Sequence, residues 1–136
     1  MASYLAKELA HRIPMKLHGC PLVPVPPRKK RLKKEGFDPV GHLAKGLASY
    51  GHPIWPLLRR HGNTAQKTLD RQQRMDGMAL QYALRSSRIN HVEKVLLLDD
   101  VMTTGATLSC CAALLKNSGI KKVHALVLAY DENLLA

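Results

Sequence analysis

The stretch formed by residues 94–108, KVLLLDDVMTTGATL, constrains the fold more than any other part of the sequence. Its four consecutive large aliphatic residues, at positions 95–98, predict a strand buried on both faces, as in a parallel sheet covered by helices. Two acids follow this strand directly, and a short polar run containing glycine then leads into an apolar pattern with helical spacing. The segment therefore predicts a strand, a loop and a helix, with the loop at the carboxyl end of a strand, where open α/β sheets bind ligands.

The residue types that follow the strand are suited to a ribose 5-phosphate. Small loop residues allow successive backbone N–H groups to face one concavity, and the helix N-terminus adds partial positive charge, so this arrangement favours a phosphate. These residues are Thr103, Thr104, Gly105, Ala106 and Thr107. The carboxylates of Asp99 and Asp100 suit the vicinal hydroxyls of a ribose, or a hydrated Mg²⁺. The alternative is purely structural, a turn and a Thr-capped helix with solvent-facing acids, but such a turn does not need paired acids.

Residues 98–107, LDDVMTTGAT, resemble the phosphoribosyl pyrophosphate (PRPP) signature of type I phosphoribosyltransferases. The resemblance implies a single-domain α/β fold with the parallel sheet of that family, and a glycosyltransferase that binds PRPP with Mg²⁺. It implies that residues 103–107 bind the 5-phosphate and that Asp99 and Asp100 bind the ribose hydroxyls near the Mg²⁺. Catalysis would then depend on positioning and electrostatics, and the sequence identifies no general base or other catalytic residue.

The proline-rich segment at residues 23–28, VPVPPR, ends a strand candidate and continues into a run of cations. In type I phosphoribosyltransferases the loop after the first core strand binds the pyrophosphate. The resemblance therefore assigns pyrophosphate binding to Pro27, Arg28 and Lys29. An ordinary basic surface loop is the alternative.

Residues 59–69 occupy the place of a mobile loop that closes over PRPP in this family. The resemblance assigns Arg60, Gln66, Lys67 and Arg74 to this flexible loop. Its closure would exclude water and bring cations to the leaving pyrophosphate. A polar region at the start of a helix is an equally open interpretation of the same residues.

A set of smaller motifs resembles the ComF/GntX group of phosphoribosyltransferase-like proteins, which is linked to DNA uptake. The motifs are P-x-P at residues 24–26, Gly-Phe at residues 36–37 and Q-x-x-L-x-x-x-x-R at residues 66–74. Glu35, Asp38 and Gly77 depart from the pattern of the group, in loops that would recognise the acceptor. The amino-terminal cysteine zinc ribbon of the group is also missing. We therefore expect a short or truncated member, with an acceptor that the sequence does not define.

The net charge of +11 is concentrated between residues 28 and 88, where 14 Lys and Arg residues stand against four acids and account for +10. A polyanionic substrate such as PRPP, or a nucleic-acid backbone, would explain this concentration. One Trp and one Phe make a poor platform for stacking bases, so charge supports backbone contacts at most. Two alternatives to a ComF-like transferase therefore stay open. One is a non-catalytic module that senses PRPP or associates with single-stranded DNA or competence proteins, and the other is a nucleobase salvage enzyme.

The remaining patterns predict a single domain spanning residues 1–136, in which strands alternate with helices. We expect an N-terminal helical segment at residues 1–20 and a PRPP-binding core at residues 21–136. The predicted helices are residues 3–11, 39–50 and 106–117, and the predicted strands are residues 21–26, 53–58, 78–84, 94–99 and 122–129. No stretch has the length and apolarity of a membrane span, and three cysteines without a C-x-x-C pair fit a reduced, cytoplasmic protein. The sequence leaves the oligomeric state open.

Overall fold

The computed structural model describes residues 2–27, 33, 36, 38–61, 81–85, 89, 92–102 and 105–130. The helices in these ranges are α1 (Ala2–Arg12), α2 (Pro39–Ala48) and α3 (Ala106–Asn117), with a short 3-10 helix at Met15–Leu17. The strands are β1 (Leu22–Pro24), β2 (Leu58–Arg60), β3 (Tyr82–Leu84), β4 (Lys94–Met102) and β5 (Lys122–Tyr130). The predicted boundaries of α3 agree with the structure, whereas α2 ends two residues earlier than predicted.

The main sheet is parallel and has the strand order β1-β4-β5. In its register Leu22 pairs with Leu96, and Leu96 pairs in turn with His124. The helix α3 connects β4 to β5 as a crossover between parallel neighbours, which is the connection that a parallel sheet requires. The prediction of a single-domain α/β fold with a parallel sheet is confirmed.

The prolines in and after β1 predict that only part of this segment can pair on both sides, and the structure agrees. The N–H of Val25 donates to Leu98 O at 2.8 Å on the β4 side. On the other side, the N–H of Leu22 donates to Pro53 O at 2.8 Å, and Ile54 forms an isolated bridge with Leu22. Backbone groups of alternate residues in a strand point to the same side, so the nitrogen of Pro24, like that of Leu22, faces Ile54. Pro24 has no N–H to donate, and the pairing on that side ends there.

Helices cover both faces of the sheet and create two hydrophobic clusters. The first cluster joins α1 and α2 to one face, with Leu96 and Leu98 of β4 at its centre. The second joins α3 and the β2–β3 hairpin to the opposite face, with Val95 and Leu97 of β4. The side chains at 95–98 are all at most 2% exposed, which confirms that this strand is buried on both faces.

The antiparallel pairing of β2 with β3 differs from two of the predicted strands. Residues 53–57 do not form a strand, because only Ile54 among them makes a bridge and Pro56 interrupts the run. Residues 59 and 60, predicted to belong to a mobile loop, instead form β2 with Leu58 and pair with β3. The predicted strand at 78–84 is observed only at Tyr82–Leu84, since residues 78–80 lie outside the described ranges.

The largely apolar residues 122–129 predict a second buried strand, but β5 is less buried than this. Its described side chains are half-buried or exposed, because within the described ranges β5 pairs with β4 alone and forms an edge of the sheet. The glycine that follows the apolar helical pattern predicts that α3 ends before Gly119. The structure confirms this, since Gly119 adopts a left-handed φ of +114° directly after the C-cap residue Ser118. None of the helices in the described part of the chain has the length and apolarity needed to cross a membrane.

Candidate functional site

The carboxyl end of β4 brings one acid next to the start of α3. Asp99 lies two residues after Leu97 on β4, so its side chain is on the same face of the sheet, the face that α3 covers. It is 9% exposed. Asp99, Met102, Gly105 and Thr107 line one small concavity at this end of the sheet. The structure therefore brings a nearly buried carboxylate and the first residues of a helix into one site, as the sequence predicts for this edge of the sheet.

The second acid has a different position. Asp100 lies two residues after Leu98, so its side chain is on the opposite face of the sheet from that of Asp99. It is half-buried and is not among the described residues that line the concavity. Its backbone N–H donates to Asp99 Oδ1 at 2.9 Å, while its own Oδ1 accepts from the N–H of Val101 at 2.8 Å. The strand continues to Met102 instead of ending at residue 99, and this extension keeps the two carboxylates at alternating positions.

The loop reaches α3 through a glycine whose conformation few other residues adopt. Gly105 is the N-cap residue of α3 and has a left-handed φ of +77°. The N–H of Ser109 donates to Gly105 O at 2.9 Å, which is the first hydrogen bond of the helix. The first-turn N–H groups of an α-helix have no acceptor within the helix, so this end of α3 provides donors for an anion. Thr107 is half-buried in the same turn, and Thr103 and Thr104 lie outside the described residues.

Three side chains on and beside the paired strands β2 and β3 form a hydrogen-bonded group that the sequence interpretation missed. Arg60 Nη1 donates to the Tyr82 hydroxyl at 2.9 Å, and Arg60 Nη2 donates to Gln81 Oε1 at 3.0 Å. Burial raises the pKa of Tyr82 above its ordinary value, whereas the neighbouring Arg60 cation acts in the opposite direction.

A buried thiol lies on the same side of the sheet. Cys111 of α3 is 0% exposed, and burial, together with the neighbouring Cys110 and Asp99, raises its pKa to about 12. A thiol with such a pKa stays protonated at neutral pH and is a poor nucleophile. Adjacent cysteines in a helical pattern without a C-x-x-C pair favour a role in helix packing, and the burial of Cys111 agrees with that role.

The remaining predicted site residues fall into two groups. Pro27 is half-buried and follows β1, which ends at the same edge of the sheet as Asp99 because β1 and β4 are parallel neighbours. Arg60, predicted to belong to the flexible loop, is instead the last residue of β2, with its guanidinium bound to Tyr82. The other predicted residues lie outside the described ranges, namely Arg28, Lys29, Gln66, Lys67 and Arg74.

One carboxylate at the end of β4 is of the ligand type that a hard cation takes. Carboxylate oxygens are the ligands that Mg²⁺ prefers, and Asp99 presents such oxygens at the concavity. Among the described residues no group of three or more His, Cys, Asp and Glu side chains is arranged to hold a metal ion.

This fold is that of a phosphoribosyltransferase-type domain. The family described as Phosphoribosyl transferase domain matches residues 2–134, and the chain belongs to this family. Within it the chain is ComF-like, because it is 30% identical over 122 residues to Competence protein ComFC of Streptococcus pneumoniae (strain ATCC BAA-255 / R6). The match covers 90% of this chain and 51% of the relative, so the chain spans about half the length of that protein.

Solved structures share the same fold. The allosteric regulatory enzyme of purine biosynthesis superimposes with a TM-score of 0.61 at 19% identity, over 93% of this chain and 25% of that one. A hypoxanthine phosphoribosyltransferase from Staphylococcus aureus superimposes with a TM-score of 0.54 at 17% identity, over 97% of this chain and 64% of that one. At these identities the likeness concerns the fold alone.

Proposed function

We propose that this chain binds PRPP together with Mg²⁺ and transfers its phosphoribosyl group to an acceptor, as a ComF-like phosphoribosyltransferase. The observation that carries the proposal is the concavity that Asp99 shares with Gly105 and Thr107. A nearly buried carboxylate beside a helix N-terminus combines an acceptor for hydroxyl protons with donors for a phosphate. Ribose 5-phosphate carries both of the matching groups.

In this proposal the 5-phosphate binds the N–H groups at the start of α3 and the hydroxyl of Thr107. Residues 103–107 complete this part of the site. The ribose 2- and 3-hydroxyls donate to the carboxylates, and Asp99 makes the closer contact because it lines the concavity. Asp100 adds negative charge at the edge of the site.

Pyrophosphate is assigned to the end of β1, where Pro27, Arg28 and Lys29 follow the strand. Mg²⁺, when bound, neutralises the charge of the pyrophosphate and supports its departure as a leaving group. In the transfer, the bond between ribose C1 and the pyrophosphate oxygen breaks and its electron pair leaves with the pyrophosphate. A lone pair of the acceptor forms the new bond to C1, and the acceptor loses a proton.

Isothermal titration with PRPP and Mg²⁺ tests the binding step. We expect binding that requires Mg²⁺ and that the double substitution Asp99→Ala and Asp100→Ala abolishes. Glu93→Gln is the matched control, because it removes one exposed acid from the opposite end of β4. Unchanged binding by the double variant, or an equal loss in the control, would contradict the assignment of the site.

Release of pyrophosphate tests the transfer step. Acceptor candidates, including nucleobases, are added to the chain with PRPP and Mg²⁺, and free pyrophosphate is measured. Release that depends on one acceptor class supports a transferase and identifies that class. PRPP binding without release from any acceptor would favour a sensing module instead.

A second candidate is a module that associates with single-stranded DNA in DNA uptake. The observation in its favour is the net charge of +10 between residues 28 and 88, together with the likeness to a protein named as a competence protein. Fluorescence anisotropy with a labelled oligonucleotide, measured across a salt series, tests it. Oligonucleotide binding that persists at physiological salt and weakens when the cations at residues 28–34 are neutralised supports this candidate. No binding at physiological salt would exclude it.

A further inference from the structure

A second cavity, separate from the concavity beside Asp99, lies near the C-terminal ends of α1 and α2. It has a volume of about 250 Å³, and its described lining contains three imidazole rings and one phenol ring among five residues, namely Ala10, His11, His18, Tyr50 and His52. The ring of His52 is hydrogen-bonded to Cys20 O, two residues before β1 begins. Because β1 and β4 are parallel neighbours, this cavity is at the amino end of the sheet, and Asp99 is at the carboxyl end.

Each of the three imidazoles has one ring nitrogen bound to a backbone carbonyl. The distances are 2.7 Å from His11 Nδ1 to Lys7 O, 3.0 Å from His18 Nε2 to Ile13 O and 2.9 Å from His52 Nδ1 to Cys20 O. A carbonyl oxygen only accepts hydrogen bonds, so the bound nitrogen of each ring carries a proton. The other nitrogen of the neutral ring is then an acceptor, and no hydrogen bond among the described residues engages it.

The acceptor nitrogen of His52 is at the bottom of the cavity. His52 is 2% exposed, whereas His11 and His18 are exposed and form part of the rim. Among the described residues, the one buried side-chain nitrogen or oxygen without a hydrogen-bond partner is Asp38 Oδ1. His52 Nε2 also has no partner there, so it must be in contact with open space, and that space is the cavity that His52 lines.

The lining favours a flat ligand that donates hydrogen bonds. Aromatic side chains stack on flat rings, and Tyr50, which is 46% exposed, offers such a surface at the rim. An apolar cavity of about 150 Å³ accommodates benzene, so this larger cavity has room for a substituted ring system. The acceptor nitrogen of His52 requires a donor on the ligand.

Two other classes of ligand fit the cavity less well. His11 lies in the last turn of α1 and Tyr50 directly follows the C-cap residue of α2, so two helix C-termini are close to the cavity. Their partial negative charge disfavours a phosphate or another anion. A metal ion held by the three imidazoles is also disfavoured, because no three such side chains in the described ranges are arranged to hold one.

We propose that this cavity binds an aromatic amine, a planar heterocycle whose amino group donates to His52 Nε2 and whose ring stacks on Tyr50. Adenine is the probe for this class, since it combines a flat ring system with an amino group. The site is independent of the proposed PRPP binding, because the two sites are at opposite ends of the sheet.

Isothermal titration compares adenine with purine, which has the same ring system without the amino group. We expect adenine to bind the unaltered chain about 3- to 10-fold more tightly than purine, the effect of one hydrogen bond. His52→Asn keeps an N–H donor for Cys20 O and removes the Nε2 acceptor. This variant should bind adenine about 3- to 10-fold more weakly than the unaltered chain does and should bind purine equally well.

Three further variants locate the bound adenine. His124→Asn is the matched control, because it makes the same substitution on β5, outside the described lining of the cavity, and should leave adenine binding unchanged. Asp99→Asn should also leave it unchanged, since Asp99 is at the other end of the sheet. Tyr50→Ser removes the stacking ring at an exposed position and should weaken the binding of both bases by at least about fivefold, which keeps the test decisive should His52→Asn fail to fold.

Equal affinity for adenine and purine, or no binding of adenine at millimolar concentration, would overturn the inference. So would equal losses in His52→Asn and His124→Asn, or unchanged binding in Tyr50→Ser. A loss in Asp99→Asn would assign adenine to the concavity beside α3 and would overturn the inference as well. The expected adenine results in a chain that does not bind PRPP would support this cavity and contradict the proposed function alone.

Discussion

The backbone N–H of Asp100 donates a hydrogen bond of 2.9 Å to Asp99 Oδ1, yet the two neighbouring acids occupy alternating positions on β4. Only Asp99 lines the concavity at the start of α3, and it is 9% exposed. The two carboxylates therefore differ in how closely they can approach a ligand bound there, although the sequence presents them as an equivalent pair.

This difference predicts unequal effects on PRPP binding. Asp99→Asn should weaken binding by about 10- to 100-fold, because it replaces a charged acceptor for ribose hydroxyls. Asp100→Asn should weaken it less than about fivefold. Isothermal titration of the two single variants with PRPP and Mg²⁺ measures both values. A larger loss in Asp100→Asn would show that the ligand approaches from the other face of the sheet.

The left-handed backbone of Gly105 makes it sensitive to substitution. Gly105→Ala should lower the free energy of unfolding by about 1–2 kcal/mol, because a Cβ atom disfavours a φ of +77°. The same change should weaken PRPP binding, since relief of the strain moves the N–H groups at the start of α3. Thermal unfolding and titration measure the two effects.

Gly51→Ala is the control for this substitution. Gly51 has a φ of +92° and open space around an added Cβ, and it lies beyond the end of α2. Its substitution should cost similar stability and leave PRPP binding unchanged. Equal loss of binding in both variants would mean that reduced stability, and not the local geometry of the loop, causes the effect.

The pKa of Cys111 predicts how stability changes at alkaline pH. Burial raises this pKa from 9.0 to about 12, so the folded chain holds the thiol proton more tightly than the unfolded chain. This contribution is fully present below pH 9 and is lost as the pH rises from about 9 to about 12. Between pH 8 and pH 10 the free energy of unfolding should therefore fall by about 1.4 kcal/mol from this group.

Urea unfolding of the unaltered chain and of Cys111→Ala at both pH values isolates this contribution. Burial also raises the pKa of Tyr82, but that group is present in both proteins and cancels in the difference. The variant should show a smaller decrease between the two pH values. An equal decrease would mean that other groups cause the alkaline loss.

The buried imidazole of His52 connects the end of α2 to the chain before β1. His52 is 2% exposed, and its Nδ1 lies 2.9 Å from Cys20 O, so this nitrogen carries the proton that it donates. His52→Leu should lower the free energy of unfolding by about 1–3 kcal/mol, because it leaves a buried carbonyl without its donor. Chemical denaturation measures this change. His11→Leu removes a comparable bond to Lys7 O on the exposed surface of α1 and should cost less than about 0.5 kcal/mol.

The parts of the site that could be predicted depend on local signals. The apolar run at residues 95–98 and the glycines at 105 and 119 define β4 and α3 without reference to the rest of the chain. Pro39 at the first turn of α2 is a signal of the same kind. These elements position the concavity, so its location followed from the sequence.

The β2–β3 pair, which packs in one hydrophobic cluster with α3, could not be predicted in this way. β2 and β3 have three residues each, too few to show a two-residue period, and their pairing depends on a register set by tertiary packing. Arg60 and Tyr82 are 22 positions apart, so nothing in the sequence indicates that their side chains meet. The different positions of the two acids were missed because the strand was expected to end at residue 99 and continues to Met102.

β4 is the strand from which both hydrophobic clusters are built, since Leu96 and Leu98 pack on one side and Val95 and Leu97 on the other. Opening either half of the molecule leaves this strand packed against the other half. Its amide protons should therefore be among the last to exchange with deuterium, and the slowest should be those of residues 96–98. The acid that defines the candidate site directly follows this slow-exchanging stretch, so partial unfolding at the periphery would leave Asp99 anchored.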